Sequence, residues 1–253
     1  MKKYGLLAVS LVFSFTAYVP LAQADEELTS DQQRAATRTS LASEYYRRGA
    51  YTIAIDEANK ALDAVANYPQ ALNVLAVAYV ALKDDAQGRK YFELAMQAAP
   101  KDPDINQNYG NYLCERGEHQ AGLARYEVVL GTTLYPTPDL TLLAAANCSL
   151  KAGDKALAKQ YFDRASKQRT SSLQVKFQVA NFLLSEGELP QAKQLFIDVL
   201  RAIPKAPPEL LWLGVRIERK IGNKEAEARY ASELRRNHPD SLEATKLLTG
   251  QYD

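Results

Sequence analysis

Apolar and small residues return along this 253-residue chain with a period of 34. Ala42, Ala76 and Gly110 stand one period apart, as do Tyr45, Tyr79 and Leu113, then Ala54, Gly88 and Gly122, then Ala61, Ala95 and Val129. After a slip of two residues the ladder resumes with Ala146, Ala180 and Gly214, with Ala158, Ala192 and Ala226, and with Phe162, Phe196 and Tyr230. Each period holds two blocks at helical spacing joined by a turn: Arg48-Gly49, Asp84-Asp85, Gly117-Glu118, Gly153-Asp154, Gly187-Glu188 and Gly222-Asn223. The pattern therefore predicts a pair of amphipathic helices per period. A small residue at the eighth place lets neighbouring helices approach, and Phe92, Tyr126, Phe162, Phe196 and Tyr230 at the twenty-fourth place fill the space between units. The first unit has only Ala58 there, which predicts a thinner core at that end.

Self-similarity of this length and composition is the signature of the tetratricopeptide repeat, whose hairpins stack into an all-α, right-handed superhelical solenoid. Six repeats are predicted, over 35–68, 69–102, 103–138, 139–172, 173–206 and 207–240. Residues 25–34 form a tether and the start of the first helix, with Ser30 and Gln33 as its capping box. Residues 241–253 supply a closing helix and tail over the apolar face left by repeat six. The two extra residues fall in Gly131–Pro138, either a neutral insertion or a lip on a binding face.

The opening has the features of an export leader: Lys2 and Lys3, an apolar stretch from Leu6 to Leu21, and Ala22-Gln23-Ala24 before Asp25. A cleavable signal peptide over 1–24 is predicted, the apolar stretch being short against the ~20 residues of a spanning helix. The whole chain carries 31 Lys and Arg against 30 Asp and Glu, without a basic stripe, which argues against nucleic acid as a partner. Fifteen tyrosines suit a stack whose faces are half wet.

Motifs for chemistry are absent: no G-x-S-x-G, H-E-x-x-H, Gly-rich phosphate loop or C-x-x-C. No cofactor, small-molecule substrate or enzymatic activity is implied. Cys114 and Cys148, the sole cysteines, stand 34 residues apart on equivalent helices. In an exported protein that placement favours a disulfide between repeats three and four, with two buried free thiols as the alternative. A metal site is disfavoured, since Cys114, His119 and Cys148 give at most three ligands at an unusual spacing.

Asn111, Asn147 and Asn181 occupy the ninth place of three successive repeats, the place that faces the concave groove in this repeat class. An amide there can both donate to and accept from the backbone of an extended peptide. Asn108, Gln107 and Gln178 are auxiliaries. The pattern thus reads either as a peptide-binding groove or as solvated polar residues on helix faces. No lysines sit around Asn111 to clamp a terminal carboxylate.

Five strings carry a more specific resemblance: Asn108-Tyr109-Gly110 with Leu113-Cys114, Leu134-Tyr135-Pro136, Asn147-Cys148 before Lys151-Ala152-Gly153, Leu211-Trp212-Leu213-Gly214, and His238-Pro239-Asp240-Ser241. In that order and spacing they resemble the type IV pilus biogenesis and stability proteins of the PilW/PilF type, over about residues 35–250. The resemblance implies a six-repeat protein of the periplasm, associated with the outer membrane, that assists the secretin channel or stabilises the pilus through protein contacts. It also implies that Cys114 and Cys148 match cysteines found in several members, which strengthens the case for the bridge. Members are typically lipoproteins, whereas Ala22-Gln23-Ala24-Asp25 offers no cysteine for lipid, a departure that bears on anchoring to the outer membrane and not on a periplasmic location. A general cell-envelope adaptor, for example one recruiting peptidoglycan enzymes, shares the same fold and compartment.

Overall fold

The computed structural model describes residues 29–133, 135–168 and 171–252; the expected leader over 1–24 and most of the tether lie outside them. Thirteen helices occupy the described residues: α1 (Ser30–Arg47), α2 (Tyr51–Ala64), α3 (Pro69–Ala81), α4 (Asp85–Ala98), α5 (Pro103–Glu115), α6 (His119–Leu130), α7 (Pro138–Lys151), α8 (Lys155–Ser166), α9 (Leu173–Ser185), α10 (Leu189–Ala202), α11 (Pro208–Ile221), α12 (Lys224–Asn237) and α13 (Leu242–Thr249). The first twelve pair into six helical hairpins, and α13 closes the stack against α11 and α12. Among the described residues, no helix is long and apolar enough to cross a membrane.

Local chemistry sets the boundaries. Pro69, Pro103, Pro138 and Pro208 open the first helices of repeats two, three, four and six, where a missing N–H costs nothing. The first helix departs from expectation by one residue. Its capping box joins Thr29 and Gln32, with Gln32 N–H donating to Thr29 Oγ1 at 3.2 Å and Thr29 N–H to Gln32 Oε1 at 2.8 Å. Both pairs fit the same pattern, but Ser30 already has helical backbone, and only a residue outside the helix can turn its hydroxyl onto the free amides.

Five hairpin turns carry glycine in the left-handed region, at Gly49, Gly117, Gly153, Gly187 and Gly222, with φ of 77 to 85°. An added Cβ would meet nothing within 4 Å at any of them, so backbone conformation and not crowding selects glycine. In repeat two that place belongs to Lys83, at φ 67°, one residue ahead of the turn expected at Asp84-Asp85. Asp84 instead caps α4, accepting from Gln87 N–H at 3.2 Å.

The odd-numbered helices form a continuous inner row. Each touches the next in the series α1, α3, α5, α7, α9, α11, whereas no even-numbered helix touches the next even-numbered one among the described residues. Phe92, Tyr126, Phe162, Phe196 and Tyr230 are all buried between hairpins, and each such ring adds about 1.5–3 kcal/mol by leaving water. One core runs unbroken from Cys114 to Ala244 through repeats three to six. The first three repeats hold smaller separate clusters, one of them around Ala42, Ala58, Val74 and Leu75. Alanine at position 58 is fully buried, and the rings packed against this cluster, Tyr79 and Tyr91, come from repeat two and are only partly buried.

Beyond α13, Gly250 takes φ 70° and turns the chain back, and Tyr252 lies along α11. Helix and tail thus close the stack together, while Leu242 and Leu248 of α13 remain exposed.

Candidate binding groove

The inner row hollows into a groove across repeats one to four. One concavity of about 350 Å³ is lined by Tyr46, Val77, Val80, Asn108, Asn111 and Glu115, among others. A second, of about 490 Å³, is lined by Asn111, Glu115, Ala144, Asn147, Leu150 and Lys151 over the Cys114–Cys148 bridge. Asn111 and Glu115 belong to both, so the two hollows join at the inner helix of repeat three.

Helix periodicity explains which side chains arrive there. Val77, Asn111 and Asn147 share the ninth place of repeats two, three and four. Val80 and Leu150 stand one turn further along their helices and Ala144 one turn earlier. The groove is therefore an apolar strip edged by amides. The amide ladder pointed to its polar half; its apolar half was missed because valine and alanine on an inner helix read equally as core. The register itself held the signal, since Val77 occupies the same place as the asparagines.

The amides are not equivalent. Tyr126, buried beneath the groove, donates to Asn111 Oδ1 at 2.8 Å, and Gln107 Nε2 donates to the same oxygen at 3.3 Å. This occupies the carbonyl and turns the Asn111 NH2 outward as a donor. Burial raises the Tyr126 phenol well above its ordinary value, with the nearby Glu115 carboxylate adding to it, so the hydroxyl remains a donor at any physiological pH. Asn147 is exposed and its side chain bonds no other described residue.

Three of the remaining predicted residues, Asn108, Gln107 and Asn181, join repeats to one another. Asn108 Nδ2 donates to Asn73 Oδ1 at 3.3 Å, and Thr141 Oγ1 donates to Gln107 Oε1 at 2.7 Å. Asn181 Nδ2 donates to the Phe177 carbonyl at 3.1 Å, and its Oδ1 lies 3.5 Å from Arg216 Nη1. Gln178 is exposed on the same helix, away from both hollows. The structure thus brings Asn108, Asn111 and Asn147 to one groove and leaves Asn181 and Gln178 on the neighbouring stretch of the inner row.

The two cysteines are bonded, with Cα atoms 5.6 Å apart. Gly122 provides the space for them. A Cβ on Gly122 would collide with Cys114 Sγ, whereas Gly110 makes room for the Tyr126 ring. Among the described residues there is no group of three or more His, Cys, Asp or Glu that could hold a metal ion. At the rim, Lys151 Nζ lies 2.6 Å from Glu115 Oε1 and holds that carboxyl below its ordinary value. Arg116 similarly pairs with Asp85 at 2.7 Å.

No protein-family model matches the chain. Over 199 residues, 79% of either chain, it is 25% identical to the type IV pilus assembly protein PilF of Pseudomonas aeruginosa. The crystal structure of PilW, a widely conserved type IV pilus biogenesis factor, matches at a TM-score of 0.76 and 28% identity, covering 85% of this chain and 99% of that one. The chain is a homologue of PilF and PilW. The structure of Pseudomonas aeruginosa PilF matches at a TM-score of 0.75 and 23% identity, over 87% of this chain and 99% of its own. Outside the pilus proteins, YrrB, a tetratricopeptide-repeat protein with an unusual peptide-binding site, shares the fold at a TM-score of 0.58 and 15% identity, over 76% of this chain and 97% of its own. These neighbours identify the stacked hairpins as a tetratricopeptide-repeat solenoid.

Proposed function

We propose that this protein is a non-enzymatic scaffold of type IV pilus biogenesis, acting in the periplasm by capturing an extended segment of the outer-membrane secretin or another pilus component. The relationship to PilF and PilW supports the pathway. The joined hollow centred on Asn111 supports the mode of action. An extended segment would lay alternate side chains on Val77, Val80, Ala144 and Leu150, while its backbone meets the Asn111 and Asn147 amides. The groove walls are already fixed by inter-repeat hydrogen bonds and the disulfide, so the ordering cost falls on the partner.

A strain lacking the gene is expected to lose surface pili or secretin multimers, and the intact gene to restore them. Complementation with Asn111→Ala/Asn147→Ala should fail while the variant protein accumulates normally, and pull-down of the partner should fall at least tenfold. Wild-type pili and multimers in the deletion strain would overturn the pathway. Full rescue by the double variant would move the binding surface elsewhere.

A further inference from the structure

The inner face of repeat six is already occupied by the chain's own tail. The Tyr252 ring stacks on Trp212, with centroids 5.5 Å apart and planes 21° from parallel. The Arg219 guanidinium lies 3.8 Å from the centroid of the Tyr252 ring. Arg216 Nε donates to the Tyr252 carbonyl at 3.1 Å, while its Nη1 reaches toward Asn181 on the adjacent inner helix. Trp212, Arg216 and Arg219 all belong to α11, one turn apart on one side of the helix.

An indole, a stacked guanidinium and a donor to the following carbonyl together recognise an aromatic residue in an extended segment: the ring by stacking and cation–π attraction, the backbone by the hydrogen bond. Little else secures the tail. Its helix α13 has eight residues and buries only Ala244 completely. Tyr252 is reached through the left-handed turn at Gly250, where Gln251 N–H bonds the Lys246 carbonyl at 2.9 Å.

We infer that α11 carries a second peptide site, selective for an aromatic residue in an extended protein segment, and that Tyr252 fills it as a tethered occupant. A partner segment bearing tyrosine displaces the tail and gains the inner face of repeats five and six, next to Asn181. The tether presents Tyr252 at a high local concentration, so a free competitor meets a barrier that disappears when the tail is removed. This site lies apart from the groove of repeats one to four, and its test needs no pilus component.

Trp212 is the only tryptophan in the sequence, so its fluorescence reports the site directly. A chain stopped after Thr249, and full-length Tyr252→Ala as a version with α13 intact, should both show Trp212 emission shifted to longer wavelength, with unchanged far-ultraviolet circular dichroism. Titrating either with the synthetic peptide Gly-Gln-Tyr-Asp should restore the original emission saturably, whereas Gly-Gln-Ala-Asp should not. The intact chain should need at least tenfold more peptide, and Arg219→Ala in the shortened chain should weaken the response at least fivefold. Unshifted emission on loss of Tyr252, or equal responses to the two peptides, would overturn the inference.

Discussion

Gly110 shows how much one missing side chain can decide. A Cβ there would sit 2.8 Å from the Tyr126 ring and 3.2 Å from the Gly122 carbonyl oxygen, both inside ordinary contact distance. Tyr126 cannot retreat without giving up its hydrogen bond to Asn111. Gly110→Ala should therefore cost about 1–3 kcal/mol through overpacking, seen as a lower urea midpoint with an unchanged slope, and should loosen the Asn111 amide as well. The sequence ladder marked Gly110 as a small-residue place, but not that its neighbour is the ring supporting the groove. Lys83 is the converse case. Its side chain gives no sign of left-handed backbone, and only its place in the series Gly49, Lys83, Gly117, one period apart, reveals the turn.

Between elements, three cross-links join repeat three to repeat four across the two-residue slip in the period. The disulfide, the Gln107–Thr141 bond and the Tyr161–Glu127 bond each join residues separated by 34. Helix positions and turn glycines were legible because local propensity and packing point the same way in every repeat. The polar pairings were not, since an amide on an inner helix can face a groove or a neighbouring helix with the same sequence signature. Tyr161 gives a measurable consequence. Its hydroxyl donates to Glu127 at 2.8 Å, and burial together with that carboxylate pushes it up to about 12 from an ordinary 10.0. The unfolded chain thus releases the proton first, so this contribution to stability is complete below pH 10 and is lost as pH rises towards 12. Thermal unfolding midpoints should fall between about pH 10 and 12, and Tyr161→Phe should reduce the fall; an identical decline in both proteins would contradict it.

For the whole molecule, the sequence conveyed the architecture and the relationship to the pilus proteins, because a repeat array is nearly one-dimensional and each unit restates the rule for the next. It did not convey how the core is distributed. Repeats three to six share one apolar cluster, while the first three are held by smaller ones. Nor did it place the tail on α11, because a single aromatic residue beyond the last period has no partner in the pattern. The bridge between Cys114 and Cys148 also has a mechanical consequence. If the stack is drawn out from its two ends, the 34-residue interval between the sulfurs stays closed, shortening the fully extended chain by about 110 Å. Stretched in an optical trap, the oxidised protein should stop short of the reduced one by that length, giving it a built-in limit to how far it can be unravelled.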